Sequence, residues 1–139
     1  MAKNVAEQLV DTLEKAGVKR IYAVTGDSLN EVNEAVRKNG KIKWIHVRHE
    51  ETGAYAAAAE AQLSGELACC AGSSGPGHVH LINGLYDAQR TGVPVLAIAS
   101  TLPTHEFGTE YFQETNTIKL FEDCSHYNQV ATTPEQFPR

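Results

Sequence analysis

Hydrophobic positions along the chain follow two spacings in turn, and this alternation predicts a regular succession of helices and strands. Apolar residues three or four apart, such as Val5, Leu9 and Leu13, are typical of a helix with one buried face. Short runs rich in β-branched and aromatic residues indicate strands. We expect helices at residues 5–16, 28–39, 49–63, 76–91 and 118–121, and strands at 20–24, 42–47, 67–71, 93–99 and 126–131.

Strands that alternate with helices predict an α/β fold with a parallel sheet, because each helix carries the chain back across one face of that sheet. The nearly continuous apolar run at 93–99 favours a strand that is covered on both faces. The alanine-rich stretch at 54–59 is typical of a helix that packs closely against a sheet. We therefore predict three layers, α/β/α, with a mostly parallel central sheet.

Helix-start signals appear at two places. Ser28 followed by Glu31 is the pattern of a capping box at the start of the second helix. Thr133, Pro134 and Gln136 repeat that pattern close to the last residue and indicate a further helix. We interpret residues 1–139 as one domain and as a fragment of a longer chain. The long irregular stretch at 100–116 has the length of a functional loop.

Composition excludes several classes of partner. The sequence has 12 Lys and Arg residues against 17 Asp and Glu residues, for a net charge of −5, and its basic residues do not cluster. This argues against nucleic acid and against an anionic membrane surface. No apolar run approaches the roughly 18 to 20 residues that span a bilayer. The charged N-terminus predicts no signal peptide. The 3 cysteines are interpreted as free thiols in a cytoplasmic protein.

The sequence gives only weak support for a phosphate-binding turn and for a metal site. The glycine-rich turn at 72–77 could bind a phosphate through its backbone N–H groups, but it lacks the P-loop lysine and the GxGxxG spacing. We therefore favour a tight turn that lets the backbone approach another ligand closely. His78 and His80 lie two apart on a predicted helix and point in different directions, which argues against a metal pair. Cys69 and Cys70 are expected to be core residues, and no metal site is predicted.

Four separate segments are expected to meet at one edge of the sheet. Asp27 and Ser28, Glu50, Ser73 and the loop after Ala99 each follow a predicted strand. Ligands of open parallel sheets bind outside the carboxyl ends of the strands. A carboxylate such as Glu50 is also common at a helix start for purely electrostatic reasons. The convergence favours a ligand site but does not identify the ligand.

Several motifs resemble, in order and spacing, the N-terminal pyrimidine-binding (PYR) domain of thiamine-diphosphate enzymes. They are VTGDSLN at 24–30, RHEE at 48–51, GPG at 75–77 and YFQET at 111–115. Within that superfamily the chain is most similar to the bacterial, quinone-reducing pyruvate oxidases, on the strength of AQLSGELA at 61–68 and HLINGL at 80–85. The resemblance covers essentially the whole chain.

The resemblance implies roles for individual residues. The matching glutamate, Glu50, hydrogen-bonds the aminopyrimidine ring nitrogen of the cofactor. Phe112 and Gln113 are expected to reach toward the substrate and to be catalytic together with Glu50. The residues expected to contact the cofactor are Asp27, Ser28, Glu50, Ser73, Pro76 and His80.

The resemblance also implies an activity. It is oxidative decarboxylation of pyruvate to acetate and carbon dioxide, with thiamine diphosphate, Mg²⁺ and FAD as cofactors and quinone as electron acceptor. Mg²⁺ and most FAD contacts belong to middle and C-terminal domains that this sequence does not match. The active site is expected to be shared between the subunits of a homodimer or tetramer, and the isolated chain is expected to be inactive.

Two other functions stay open. The chain also fits a domain of acetolactate synthase or of another 2-keto-acid decarboxylase. A non-catalytic α/β dimerisation module is the alternative of a different class. A cytoplasmic location is expected, with peripheral attachment at the inner face of the cell membrane open for the full-length protein.

Overall fold

The structure, a computed structural model, describes residues 3–137. Its strands are β1 (Arg20–Ala23), β2 (Lys43–His46), β3 (Ala68–Gly72) and β4 (Val95–Ala99). Its helices are α1 (Val5–Lys15), α2 (Asn30–Asn39), α3 (Glu50–Ser64), α4 (Pro76–Val79), α5 (Ile82–Thr91) and α6 (Thr117–Phe121). Single 3₁₀ turns occupy Asp27–Leu29, Thr104–Glu106 and Pro134–Gln136. Among these residues, no helix is both long enough and apolar enough to cross a bilayer.

The four strands form one parallel sheet in the order β2-β1-β3-β4, with helices on both faces. On one face, α1 and α2 pack against a core that includes Ile21 and Cys69. On the other face, α3 and α5 enclose a core that includes Cys70, while Tyr22 packs at its edge. Neighbouring strand residues therefore point into opposite cores, as the two-residue repeat of a strand requires. The predicted three-layer α/β/α fold with a parallel sheet is confirmed.

Helices α3 and α5 pack at very close range. A Cβ atom built on Gly84 of α5 would lie 2.5 Å from the Cβ of Ala54 and 2.6 Å from the backbone nitrogen of Tyr55 in α3. Because only a residue without a side chain fits there, the two helix backbones come into near contact. The sequence pattern predicts close packing of α3 against the sheet, and a Cβ on Gly53 would indeed lie 3.1 Å from the carbonyl oxygen of Tyr22 in β1. The close contact with α5 was not predicted.

The predicted capping box of Ser28 and Glu31 is wrong. Ser28 lies inside the 3₁₀ turn Asp27–Leu29, and α2 begins at Asn30 with Leu29 as an N-cap that makes no side-chain hydrogen bond. The hydroxyl of Ser28 instead lies 2.8 Å from the hydroxyl of Ser73, and it accepts a hydrogen bond from the backbone N–H of Ser74. A contact between distant segments thus replaces the local cap.

The single helix predicted at 76–91 is divided into α4 and α5. The backbone N–H of Leu81 donates to the carbonyl of His78, three residues back, so the chain tightens between the two helices. The tightening leaves His78 and His80 on different sides of the chain, as their spacing predicts. His78 is 1% exposed, whereas the side chain of His80 is 41% exposed.

The strand predicted at 126–131 does not form. This segment is irregular and lines an apolar groove of about 970 Å³, whose other wall includes β4. A strand needs a hydrogen-bonded neighbour, and the groove separates the segment from β4. Residues of β4 pack toward both cores, but its outer edge is unpaired within 3–137, so each is only half-buried. At Thr133 the predicted capping box with Gln136 is present, but within the described residues it is followed by a single 3₁₀ turn, Pro134–Gln136, and not by an α-helix.

Candidate ligand site at the carboxyl edge of the sheet

The four segments that follow strands do converge at one edge of the sheet. Ser28 and Ser73 are joined through their hydroxyl groups at 2.8 Å. The hydroxyl of Ser100, which follows β4, donates to the backbone carbonyl of Ser28 at 2.7 Å. These bonds connect the ends of β1, β3 and β4, so the edge is a cross-linked rim rather than a set of separate loops.

The glycine-rich turn after β3 is shaped by backbone contacts. Gly75 has φ +65° and ψ −118°, a conformation that side-chain-bearing residues rarely adopt. A Cβ on Gly72 would lie 2.5 Å from the carbonyl oxygen of Gly77, so the chain doubles back tightly before α4. Pro76 is the exposed first residue of α4. The geometry fits the tight turn with close backbone approach that the sequence favours.

Glu50 lies at the centre of this edge as the first residue of α3. Its side chain is 12% exposed, and its Oε2 lies 2.9 Å from Nδ1 of His80. Its Oε1 faces Gly77, where an added Cβ would lie 3.4 Å from that oxygen. No hydrogen bond to Oε1 is found within residues 3–137. The carboxylate is therefore held at one oxygen and free at the other.

His49 joins this group, and the sequence pattern gave no role to it. Its ring stacks on that of His80 with centroids 4.3 Å apart and an interplanar angle of 26°. Its Nδ1 accepts a hydrogen bond from the backbone N–H of Glu51, which makes His49 the N-cap of α3. Its place at the first residue of the helix predicted at 49–63 was the one available signal. Ligand atoms of His49, Glu50 and His80 all lie within 4.8 Å of one another.

The loop at 100–116 contacts the glycine-rich turn through Gln113. The hydroxyl of Ser74 donates to Oε1 of Gln113 at 3.2 Å, and Gln113 itself has φ +67°. Phe112 is 78% exposed beside it. Asp27 is also exposed, at the start of its 3₁₀ turn, and its side chain has no hydrogen-bond partner within the described residues. The structure thus brings Ser28, Glu50, Ser73, His80 and Gln113 to one edge and leaves Asp27 and Phe112 facing solvent.

The two adjacent cysteines play no part in this edge. Cys69 and Cys70 are both fully buried, one in each core, which confirms the prediction that they are core residues. Burial raises the pKa of the Cys69 thiol well above its ordinary value and that of the Cys70 thiol to about 12. Both therefore stay protonated and unreactive at neutral pH.

The fold is that of an α/β domain with a candidate ligand site at the carboxyl edge of a parallel sheet. Residues 3–120 match the family described as "Thiamine pyrophosphate enzyme, N-terminal TPP binding domain". The chain belongs to this family. The predicted resemblance is confirmed, and so is its implication that the domain is of the kind that binds thiamine diphosphate.

Three curated relatives show how far the similarity extends. An uncharacterized 42.6 kDa protein of Pseudomonas amyloderamosa is 59% identical over 96% of this chain and 34% of its own length. A pyruvate oxidase of Lactiplantibacillus plantarum is 41% identical over 94% of this chain and 22% of its own length. A chloroplastic acetolactate synthase of Arabidopsis thaliana is 34% identical over 96% of this chain and 20% of its own length. The chain thus spans between a fifth and a third of these relatives.

Proposed function

We propose that this chain is the N-terminal domain of a thiamine-diphosphate- and FAD-dependent pyruvate oxidase, which decarboxylates pyruvate oxidatively to acetate and carbon dioxide. The identity of 41% with a pyruvate oxidase, against 34% with an acetolactate synthase, supports the oxidase. Further domains would supply the rest of the active site, since the chain spans only 22% of that oxidase.

The observation that carries the proposal is the half-satisfied carboxylate of Glu50. His80 holds Oε2, whereas Oε1 faces Gly77 and has no hydrogen-bond partner within the described residues, on a side chain that is 12% exposed. A carboxylate oxygen only accepts hydrogen bonds, so this free oxygen suits a ligand that donates one. The ring nitrogen of a protonated aminopyrimidine is such a donor. The residues present therefore fit the pyrimidine half of thiamine diphosphate.

Roles for the neighbouring residues follow from their places on the edge. Glu50 would accept the hydrogen bond of the pyrimidine ring, and His80 would fix its carboxylate. Asp27, Ser28, Ser73 and Pro76 would line the cofactor. When bound, thiamine diphosphate supplies the electron sink for the bond that breaks as carbon dioxide leaves.

Phe112 and Gln113 belong to the substrate side of the proposed site. Gln113 is anchored to the glycine-rich turn through Ser74, and the exposed ring of Phe112 is directed away from both cores. An anchored amide and an exposed aromatic ring give a polar and an apolar contact for a small keto acid. Both residues would act on pyruvate rather than on the pyrimidine.

The described residues do not fit a magnesium site. The cluster found within 3–137 contains two histidines and one carboxylate, whereas Mg²⁺ prefers an all-oxygen shell with several waters. We therefore assign Mg²⁺, the diphosphate group and most FAD contacts to other domains. We propose a homodimer or tetramer in which a second subunit completes the site, with quinone as the electron acceptor.

An anaerobic assay of the intact enzyme tests the proposal. Pyruvate, thiamine diphosphate and Mg²⁺ are added, and reduction of the flavin is followed by its loss of colour. We expect rapid bleaching in the wild type and a loss of about 100-fold or more in Glu50→Gln, which preserves size but removes the charge. Glu51→Gln is the matched control, because Glu51 is the next residue of the same helix turn, and we expect it to bleach near the wild-type rate.

Other results would move the function elsewhere. Acetolactate or acetaldehyde formed without bleaching would favour acetolactate synthase or a non-oxidative decarboxylase, a candidate that the 34% identical relative supports. Equal loss in Glu50→Gln and Glu51→Gln would contradict the special role of Glu50. Absence of both turnover and cofactor binding would leave the non-catalytic dimerisation module.

A further inference from the structure

One buried histidine bonds both ends of the 100–116 loop. The loop leaves β4 at Ser100 and returns to α6 through Thr115. Nδ1 of His78 lies 2.8 Å from the carbonyl oxygen of Ser100, and Nε2 lies 2.5 Å from Oγ1 of Thr115. His78 is 1% exposed and lies in α4, directly after the glycine-rich turn. Both ends of the loop thus meet at one imidazole ring.

The chemistry of the two partners fixes the tautomer of His78. A carbonyl oxygen can only accept, so Nδ1 carries the proton and donates to Ser100. In the neutral ring Nε2 is then an acceptor, and the hydroxyl of Thr115 donates to it. Burial lowers the pKa of His78, which favours this neutral form at pH 7. One neutral imidazole therefore serves as donor to one end of the loop and as acceptor for the other.

Core packing does little to hold the loop. A cavity of about 650 Å³ lies against it, lined among others by Leu102, Phe107 and Tyr111. Away from its ends, the loop contacts the glycine-rich turn at Gln113, where a Cβ on Gly75 would lie 2.7 Å from the Cβ of Gln113. Gln113 has φ +67°, a strained conformation that persists only where its surroundings impose it. The bonds at the ends of the loop are such a constraint.

We propose that His78 is a positioning residue, which fixes both ends of the 100–116 loop so that Phe112 and Gln113 stay beside the glycine-rich turn. The importance of these two residues for substrate rests on the proposed function, whereas the order of the loop does not. The imidazole of His78 bonds Ser100 and Thr115, whereas the histidine ring that bonds Glu50 is that of His80. Loss of His78 should therefore weaken the use of pyruvate and leave cofactor affinity unchanged.

Hydrogen exchange of the chain tests the order of the loop without any assay of activity. The variants are His78→Phe, which preserves a buried ring without hydrogen bonds, and Thr115→Val, which replaces the hydroxyl with a methyl group. Thr115→Ser is the matched control, because it keeps the hydroxyl. We expect amide exchange in 101–114 to become about tenfold faster in the first two variants. A factor of this size corresponds to the loss of one or two net hydrogen bonds. Exchange in β1 and β3 should not change.

Kinetics of the intact enzyme test whether the order of the loop affects the use of pyruvate. We expect kcat/KM for pyruvate to fall about tenfold in Thr115→Val and to return in Thr115→Ser, while the activation constant for thiamine diphosphate is unchanged. Slow, wild-type-like exchange of 101–114 in a folded Thr115→Val protein would overturn the proposal. Faster exchange with unchanged kinetics would overturn the link to substrate. A wild type that does not oxidise pyruvate would instead reject the proposed function, and the exchange data would still report on His78.

Discussion

Nδ1 of His80 donates to Oε2 of Glu50 across 2.9 Å, although 30 residues separate them in sequence. A carboxylate oxygen only accepts, so Nδ1 of His80 carries the proton of this bond. The bond selects one rotamer of a carboxylate at the start of α3 and leaves Oε1 facing Gly77. The orientation of Glu50 is thus set by the segment between α4 and α5 and not by its own helix.

We predict that His80→Ala weakens the activation of the intact enzyme by thiamine diphosphate about tenfold, because a hydrogen bond to a charged group is lost. His80→Asn should recover part of this loss, since its amide nitrogen takes the place of Nδ1. The measurement is the concentration of thiamine diphosphate that gives half-maximal turnover. Wild-type activation in His80→Ala would show that Glu50 needs no support from this side.

We predict that the chain loses stability on mild acidification because of His78. Burial lowers the folded pKa of His78 below the ordinary value of 6.5, so below pH 6.5 the unfolded chain binds more protons. The free energy of unfolding should then fall as the pH drops from 7.5 to 5.5. Urea unfolding at these two pH values measures the change, and His78→Phe should show a smaller one.

Carboxyl groups whose pKa is lowered by ion pairs do not titrate between pH 7.5 and 5.5, so they do not contribute to this change in stability. Lys3 lowers the pKa of Asp11, and Lys41 lowers the pKa of Glu14, through direct hydrogen bonds. These groups take up protons only below their ordinary values of 3.8 and 4.5. An equal loss of stability in the wild type and in His78→Phe would assign the acid sensitivity to other groups.

We predict that Gly75→Ala is more destabilising than Gly92→Ala. Both glycines have positive φ, but a Cβ on Gly75 would lie 2.7 Å from the Cβ of Gln113, whereas one on Gly92 would meet nothing within 4 Å. Gly92→Ala should cost about 1 kcal/mol, for the backbone conformation alone. Gly75→Ala should cost about 2–3 kcal/mol, because strain and collision add. Urea unfolding compares the two, and equal losses would mean that Gln113 gives way freely.

We predict that Gly84→Ala disrupts the contact between α3 and α5. The new methyl group would lie 2.5 Å from the Cβ of Ala54, with backbone of α3 directly behind it. The cost should be about 1–3 kcal/mol, which exceeds the gain in helix propensity. Asn83→Ala is the control, because Asn83 is the exposed neighbour in α5 and should be neutral or slightly stabilising. Thermal unfolding of both variants measures the difference in stability. A Gly84→Ala variant as stable as the wild type would show that α3 and α5 can move apart without cost.

Much of the fold could be predicted because burial imposes a local period. The four strands of the sheet and the long helices appear where the two spacings place them, and the glycines at 40, 65 and 92 follow helix ends. Two of the failures have the same cause, a partner that lies far away in sequence. Ser28 and Glu31 have the pattern of a capping box but do not form one, because the hydroxyl of Ser28 bonds the hydroxyl of Ser73 in another loop instead. The segment 126–131 has the pattern of a strand but no adjacent sheet edge within the described residues.

The candidate site was predictable in its location and not in its contacts. The parallel order of strands places Ser28, Glu50 and Ser73 at the same edge, which alternation along the chain already implies. The stack of His49 on His80 and the bonds of His78 to Ser100 and Thr115 carry no sequence signal, since each joins segments that are far apart.

The sequence by itself determined the three-layer fold, the family and the edge of the sheet at which the candidate site lies. These follow from patterns within single elements and from motifs of adjacent residues. Only the tertiary structure decided which oxygen of Glu50 is held, which histidine faces it and which one ties the loop of Gln113. Such choices depend on distances between elements, because a side chain selects its partner from whatever folding brings within about 3 Å.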